Sequence, residues 1–238
     1  MVLAILGFVT ISAQYAVAQS LSDGLAATEA PMHQQLKDQF IQGGAEFMTA
    51  VLLCLIIGLA LAIERIIFLA LASTNNKKLL GKIEEALSAG GIEAAKEVCR
   101  NTRGPVASIF YQGLLRSDQG IEAVEKSVIS YGSVQMSQLE KGLSWIQLFI
   151  AVAPMLGFLG TVIGMVKAFD DIARAGDISP NIVASGMKIA LITTIGGLVV
   201  AIILQFFYNY LVSRIDSIVI DMEDASISLV DILVKSQK

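Results

Sequence analysis

Three stretches of the chain lack any charged side chain, and they limit the possible folds more than any other feature of the sequence. The uncharged stretches hold 17, 25 and 25 residues and are 47–63, 142–166 and 189–213. A helix rises about 1.5 Å per residue, so roughly 20 apolar residues cross the hydrocarbon core of a bilayer. The first stretch is short, but the apolar pattern resumes after Glu64 and Arg65 and continues to residue 72. The sequence therefore predicts three transmembrane helices, at 47–72, 142–167 and 188–213.

The composition supports a membrane protein and argues against several other classes. Hydrophobic residues make up 55% of the chain and charged residues 16%, whereas soluble domains carry about 45–50% and about 25%. The net charge of −4 argues against a nucleic-acid partner. One histidine (His33) and two distant cysteines (Cys54 and Cys99) do not make a self-contained metal site or a nucleophile–base pair. We therefore expect a protein that is not an enzyme and needs neither metal nor cofactor.

The N-terminal segment resembles a signal peptide. Its apolar run from Val2 to about Ile11 is followed by Ala16-Val17-Ala18, the small-x-small pattern of a cleavage site. We interpret residues 1–18 as a removable signal peptide. The alternatives are an additional, uncleaved helix or a segment lying on the membrane surface.

The distribution of Lys and Arg predicts the orientation. Nine of them lie between the first two spans, whereas residues 168–187 hold only Arg174 and the stretch before the first span holds only Lys37. Cytoplasmic segments carry the excess of basic residues. The sequence therefore predicts periplasmic segments at 19–46 and 168–187 and cytoplasmic segments at 73–141 and 214–238.

The cytoplasmic segments show helical apolar spacing. We expect breaks in the first of them at Gly90-Gly91 and at Gly104-Pro105. The pattern over 119–141 predicts a helix that runs straight into the second span, and 214–238 is interpreted as a helical continuation of the third. The fold class is an all-α membrane protein with three long transmembrane helices and a helical cytoplasmic extension.

Small residues recur at steps of three or four in the second and third spans. They are Ala153, Gly157, Gly160, Gly164 and Ala168 in one, and Gly186, Ala190, Thr194, Gly197 and Ala201 in the other. Small residues permit close approach of helices in lipid, where no hydrophobic force drives association. Two interpretations are open at this point: the stripes pack within one subunit, or they line a central space that a partner's helices fill.

Few polar groups lie within the spans. Thr161, Thr193 and Thr194 can satisfy their hydroxyls on their own helices, and Pro154 removes a backbone hydrogen bond and can kink its helix. No carboxylate lies deep in any span, so a proton path needs either hydroxyls and water or an acid from a partner.

Charged residues mark the ends of the spans. At the outer edge of the third span, Lys188 either extends toward water or pairs with Asp170 or Asp171. We place Glu64 and Arg65 at the membrane boundary, with both side chains reaching water.

Three segments resemble the ExbB/TolQ/MotA proton-channel family, most closely its ExbB branch. They are APMLGFLGTVIGMVKAF at 153–169, GMKIALITTIGGLVVAI at 186–202 and AIERI at 62–66. The order of the spans, the outside N-terminus and the large cytoplasmic insert agree with this resemblance, which covers roughly residues 40–230.

The resemblance implies a ring-forming stator subunit in a bacterial inner (cytoplasmic) membrane. A homopentamer would surround transmembrane helices of an ExbD-like single-span subunit, which carries an acidic residue. Proton flow through that site would act, through a TonB-like protein, on outer-membrane transporters. The family's pore threonines correspond to Thr161 and Thr194, with Thr193 beside them, and the small stripes become the wall facing the partner helices.

One position departs from the family's pattern. ExbB and TolQ proteins often have a Glu in a Gly-x-x-Glu-Ala-Leu pattern, and Ile189 stands at that place here, after Lys188. The partner's acid would then carry the whole titration, and Na⁺ in place of H⁺ is an alternative without support in the sequence. The alternatives for function are a TolQ-like, gliding or flagellar stator and, in another class, a membrane scaffold that conducts nothing.

Overall fold

A computed structural model describes residues 32–73, 76–176 and 180–236, so the predicted signal peptide at 1–18 lies outside the described residues. Over those ranges the chain forms helices and no strand. The helices are α1 (Met32–Gln42), α2 (Ala45–Ala72), α3 (Asn76–Arg100), α4 (Pro105–Leu114), α5 (Ile121–Glu140), α6 (Leu143–Ala175) and α7 (Pro180–Ser236), with a short 3₁₀ turn at Ser117–Gln119. The predicted all-α class is confirmed.

Three helices of the described chain are long and apolar enough to cross a membrane. The first two predicted spans lie in α2 and α6, and the third lies in α7. Because α7 has 57 residues, it is about 85 Å long and extends far beyond a hydrocarbon core of about 30 Å. The tail from residue 214 onward is therefore a helical continuation of the third apolar stretch, as the sequence predicts.

The segment predicted as a loop at 168–187 is mostly helical. Helix α6 continues to Ala175, where Gly176 caps it in the left-handed conformation, and α7 already begins at Pro180. The charges at Lys167 and Asp170 end the uncharged stretch but leave the backbone hydrogen bonds of the helix intact. Charge therefore marked the edge of the apolar segment, not the end of the helix.

Helices α5 and α6 are separated by a break that the sequence analysis did not expect. The prediction of one helix running into the second span is wrong, because Lys141 is extended (ψ 128°) and Gly142 has φ +90°. A left-handed residue cannot continue a right-handed helix, and glycine adopts this conformation without steric cost.

Arg65 packs into this break. Its Nη1 atom donates a hydrogen bond to the Gln138 carbonyl over 3.4 Å, and its guanidinium lies 4.9 Å from the ring centroid of Phe68. The side chain is 10% exposed, whereas its ion-pair partner Glu64 is 56% exposed. Glu64 therefore lies on the surface of the chain while Arg65 does not, which corrects the prediction for Arg65: the break between α5 and α6 covers its guanidinium.

The two predicted breaks in the insert are present. Gly91 has a non-helical conformation (φ 69°, ψ −159°) within α3, and Gly104 precedes Pro105 at the start of α4. The resulting short helices pack their apolar faces against the extension of α7, with Phe110, Leu114 and Leu229 fully buried in one core. Burial in this core raises the pKa of the Cys99 thiol to about 12, so the thiol stays protonated at neutral pH.

Substitution of Gly142 tests the break. We expect Gly142→Ala to lower stability by about 1–2 kcal/mol, because a β-carbon is strained at φ +90° and would lie 3.2 Å from Nε of Arg65. Thermal unfolding of the purified protein in detergent measures the effect. Gly81→Ala is the matched control: Gly81 is helical and its added β-carbon meets nothing within 4 Å, so stability should hold or rise. Equal melting temperatures for the two variants would contradict the strain at Gly142.

Candidate functional site

The small residues of α6 and α7 lie directly against one another. A β-carbon built on Gly157 would be 2.8 Å from the carbonyl oxygen of Thr193 and 3.2 Å from the Cα of Thr194. A β-carbon on Gly197 would be 2.5 Å from the carbonyl oxygen of Ala153. Because these neighbours are backbone atoms, they cannot swing away as a side chain can. The two helices are therefore as close as glycine permits.

The same contact continues along both helices. Gly164 faces Gly186 and Ala190, with a β-carbon position 3.3 Å from the Gly186 oxygen and from the Ala190 nitrogen. Gly186 in turn packs against Ala168. We call this contact the glycine seam. Its buried members are Ala153, Gly157, Gly160, Gly164, Ala168, Gly186, Ala190, Thr193 and Gly197.

The seam corrects the expectation that the small stripes face partner helices. Residues buried between two helices of one chain have no free face left for another subunit, so the buried members of both stripes pack within one subunit, the first of the two interpretations. Two members of the stripe on α7, Thr194 and Ala201, stay half-buried.

Thr193 belongs to the seam. It is 0% exposed, its hydroxyl donates to the Ala190 carbonyl over 2.8 Å, and a β-carbon on Gly160 would lie 2.7 Å from its Oγ1. The sequence analysis predicts Thr193 in the ion pathway beside Thr194, but adjacent helix positions point about 100° apart. The structure therefore separates the two threonines.

Thr161 and Thr194 are half-buried at the edge of the seam. Thr161 donates to the Phe158 carbonyl over 2.6 Å, and Oγ1 of Thr194 lies 3.4 Å from the carbonyl oxygens of both Gly157 and Ala190. A hydroxyl has one proton and two acceptor lone pairs. Each threonine thus satisfies its donor on the backbone and retains an oxygen that can accept a hydrogen bond.

Helix α2 covers the opposite side of the seam. Met48 and Gly58 of α2 contact Gly196 and Leu204 of α7, respectively. Gly43, in the turn before α2, lies against Ile192. Thr194 is two residues from both Ile192 and Gly196, which is about 200° around the helix. Thr194 therefore lies on the side of α7 turned away from α2.

Thr161 lies on the same open side. On α6, Leu156 packs against a core cluster that includes Val51 and Cys54 of α2. Thr161 comes five residues after Leu156, which is about 140° around the helix. Pro154 lies two turns before Thr161 on the same side of α6, and Ala201 lies two turns after Thr194 on the same side of α7. We call these four half-buried residues the threonine face; they are Pro154, Thr161, Thr194 and Ala201.

Lys188 and Ile189 lie away from the threonine face. Lys188 is exposed and forms no ion pair with a described carboxylate, while Asp171 faces Arg174 at 4.0 Å. The side chain of Ile189 points to Gly44, at the turn between α1 and α2. An acid at this position would therefore face that turn.

Sequence reasoning missed the burial of Arg65. The available signal was a Glu64–Arg65 pair between two apolar runs of α2, with Phe68 one turn after the arginine. The partner that buries it, the break at Gly142, is 77 positions away in the chain and follows from the fold alone.

Comparison with known proteins gives one matching family and several similar relatives. The model of the MotA/TolQ/ExbB proton channel family matches residues 101–224, slightly more than half of the chain. A protein from Methanothermobacter thermautotrophicus, named a putative biopolymer transport protein ExbB homolog, is 36% identical over 163 residues, which are 68% of this chain and 57% of that protein. The biopolymer transport protein exbB1 of Vibrio cholerae serotype O1 is 29% identical over 157 residues, 63% of this chain and 68% of that protein. The chain thus spans between half and three quarters of the length of these relatives.

Neighbouring glycines of α7 provide a test of the seam. We expect Gly197→Ala to destabilise the helix pair by about 1–3 kcal/mol, because its β-carbon meets the Ala153 backbone at 2.5 Å. Gly196→Ala is the matched control, since its β-carbon meets only the flexible end of Met48, at 3.2 Å. Thermal unfolding in detergent and the rate of limited proteolysis report both changes. A larger loss for Gly196→Ala would contradict the seam.

Proposed function

The chain belongs to the MotA/TolQ/ExbB proton channel family, and from this we propose that it is the channel-forming stator subunit of an inner-membrane motor complex. The complex uses the proton-motive force, with an ExbD-like single-span partner, to energise TonB-dependent outer-membrane transport. The names of the relatives, biopolymer transport proteins of the ExbB type, support this branch of the family. The threonine face is the observation that carries the proposal.

The threonine face suits a channel wall because it is polar, open and rigidly held. Two hydroxyl oxygens lie beside a seam whose helices touch at their backbones, so neither helix can shift without breaking that contact. In a low-dielectric surrounding, a hydroxyl that accepts a hydrogen bond stabilises a protonated carrier more than it would in water. The face therefore provides acceptors for a proton carrier that arrives from outside the chain.

We propose that the titrating group comes from a partner. The uncharged stretches hold no carboxylate, and Ile189 stands where the resemblance to ExbB and TolQ proteins leads us to expect Glu. A neutral, protonated acid on a partner helix can face the threonine oxygens in an apolar pore, whereas the ionised acid is costly there unless it is paired or hydrated. The difference between the two protonation states is what would drive movement of the partner relative to the ring.

The threonine face also supports the assembly of several copies into a ring. One chain presents only two threonines from one α6–α7 pair, so enclosing a partner helix requires several copies around it. We propose a homopentamer in the bacterial inner membrane, with the N-terminus periplasmic and α3–α5 cytoplasmic. A TonB-like protein would receive the output.

A scaffold that conducts nothing is the second candidate. The observation in its favour is that both threonine donors are already satisfied on backbone carbonyls, as in ordinary helix packing. A TolQ-like, gliding or flagellar stator shares the pore with the leading proposal and differs only in the output partner.

Paired threonine variants separate a channel from a scaffold. We expect the double variant Thr161→Val/Thr194→Val to lose at least about tenfold in proton flux, because valine keeps the volume and removes both oxygens. The measurement uses the complex, co-purified with its partner, in liposomes with a pH-sensitive dye. Thr161→Ser/Thr194→Ser restores the oxygens and should restore the flux.

Thr193→Val is the matched control for this experiment. Its hydroxyl is buried in the seam and bonded to its own helix, so we expect flux near that of the unmodified protein. Unchanged flux in the Thr161/Thr194 valine variant, with assembly intact, would refute the channel assignment and favour the scaffold.

Native mass spectrometry tests the assembly separately. We expect a pentamer that retains a substoichiometric single-span partner when the protein is extracted from its own membrane. A monomer or dimer without such a partner would contradict the stator proposal.

A further inference from the structure

A groove between α5 and the end of α7 is not part of the proposed channel. It encloses about 500 Å³. Its walls run from Glu125 to Met136 on α5 and from Val219 to Asp231 on α7, which is about 17 Å on each helix. On α7 the groove begins at Val219, six residues or about 9 Å beyond the end of the uncharged stretch 189–213. On α5 it ends at Met136, before the break at Gly142 and the uncharged stretch 142–166. The groove therefore lies in water, beyond the membrane-spanning part of the bundle.

The groove has an apolar lining that is exposed to water. Ile129 and Ile227, which line it, are 65% and 66% exposed, and Met136 is 41% exposed. Isolated exposed apolar residues are common, but several lining one concave surface indicate an interaction site. The length of about three helical turns matches one helix laid along the groove.

The rim of the groove is acidic. Its charged lining residues are Glu125, Glu223 and Asp231, and no Lys or Arg lines it. Over α5 and residues 215–236 together, eight carboxylates stand against two lysines. An anionic lipid headgroup would be repelled here, whereas a basic side chain would be attracted.

From this combination we infer that the groove binds a basic amphipathic helix of a partner protein, about three turns long. Its apolar side chains at i, i+3, i+4 and i+7 pack on Ile129, Met136 and Ile227, and its Lys or Arg residues pair with the acidic rim. This site is separate from the threonine face, so it stands or falls independently of proton conduction.

A defined peptide tests the site on the whole protein. The chain is placed, in its native oligomeric state, in nanodiscs of neutral phosphatidylcholine, with empty nanodiscs subtracted. The probe is a fluorescent 12-residue helix of leucine and lysine, and its counterpart has glutamate in place of lysine. We expect saturable binding of the lysine peptide by fluorescence anisotropy, weakening as salt rises, and at least tenfold weaker binding of the glutamate peptide.

Two pairs of variants locate the binding. Glu223→Lys/Asp231→Lys should raise the Kd of the lysine peptide at least tenfold. Asp216→Lys/Asp224→Lys reverses exposed charges outside the groove on the same helix and should change the Kd less than threefold. Ile227→Gln should weaken binding, while Ile220→Gln, equally exposed but outside the lining, should not. Circular dichroism confirms that each variant is folded.

Three outcomes would overturn the inference. They are equal effects of the two charge variants, equal effects of the two isoleucine variants, and absence of peptide binding to the unmodified protein. The last result would mean that a second copy already fills the groove or that nothing basic fits it.

Discussion

The contact between the backbones of α6 and α7 is the constraint on which the rest of the structure depends. In lipid, unlike in water, no hydrophobic force drives helices together, so their association relies on close packing. At Gly157 and Gly197 an opposing backbone oxygen lies within 2.8 Å of the position that a β-carbon would take, which favours glycine at both positions. The seam then decides which side chains remain available. Thr193 is buried in it, while Thr161 and Thr194 stay at its edge on the side away from α2.

A second constraint joins the membrane-spanning helices to the bundle in water. At Gly142 the chain turns out of the right-handed conformation, and Arg65 fills the break with a hydrogen bond to Gln138 and a contact to the ring of Phe68. A buried guanidinium is tolerated because these partners replace part of its water. Helix α7 crosses this boundary without interruption. The core around Phe110 and Leu229 is therefore anchored to the same helix that carries Thr194.

Most features that depend on a single helix were predicted correctly from the sequence. Contacts between helices were not. The stripe from Ala153 to Ala168 is visible in the sequence because steps of three and four return to one face. Whether that face meets the same chain or a partner was open, because small residues serve both kinds of contact. The end of α6 was misplaced because charge stops an apolar run at Lys167 while the helix continues on its own hydrogen bonds. The burial of Arg65 was missed because the residues that cover it are distant in the chain.

The sequence by itself determined the three apolar helices, the helical insert with its breaks at Gly91 and Gly104, and the candidate threonines, since each depends on neighbours within a turn or two. Tertiary structure alone decided that the two small stripes face each other, that Thr193 is buried while Thr161 and Thr194 stay at the open edge, and that Ile129 and Ile227 share an acidic groove. The physical reason is the same in each case: a side chain's environment depends on which helix packs beside it, and that packing is determined by residues far apart in the chain.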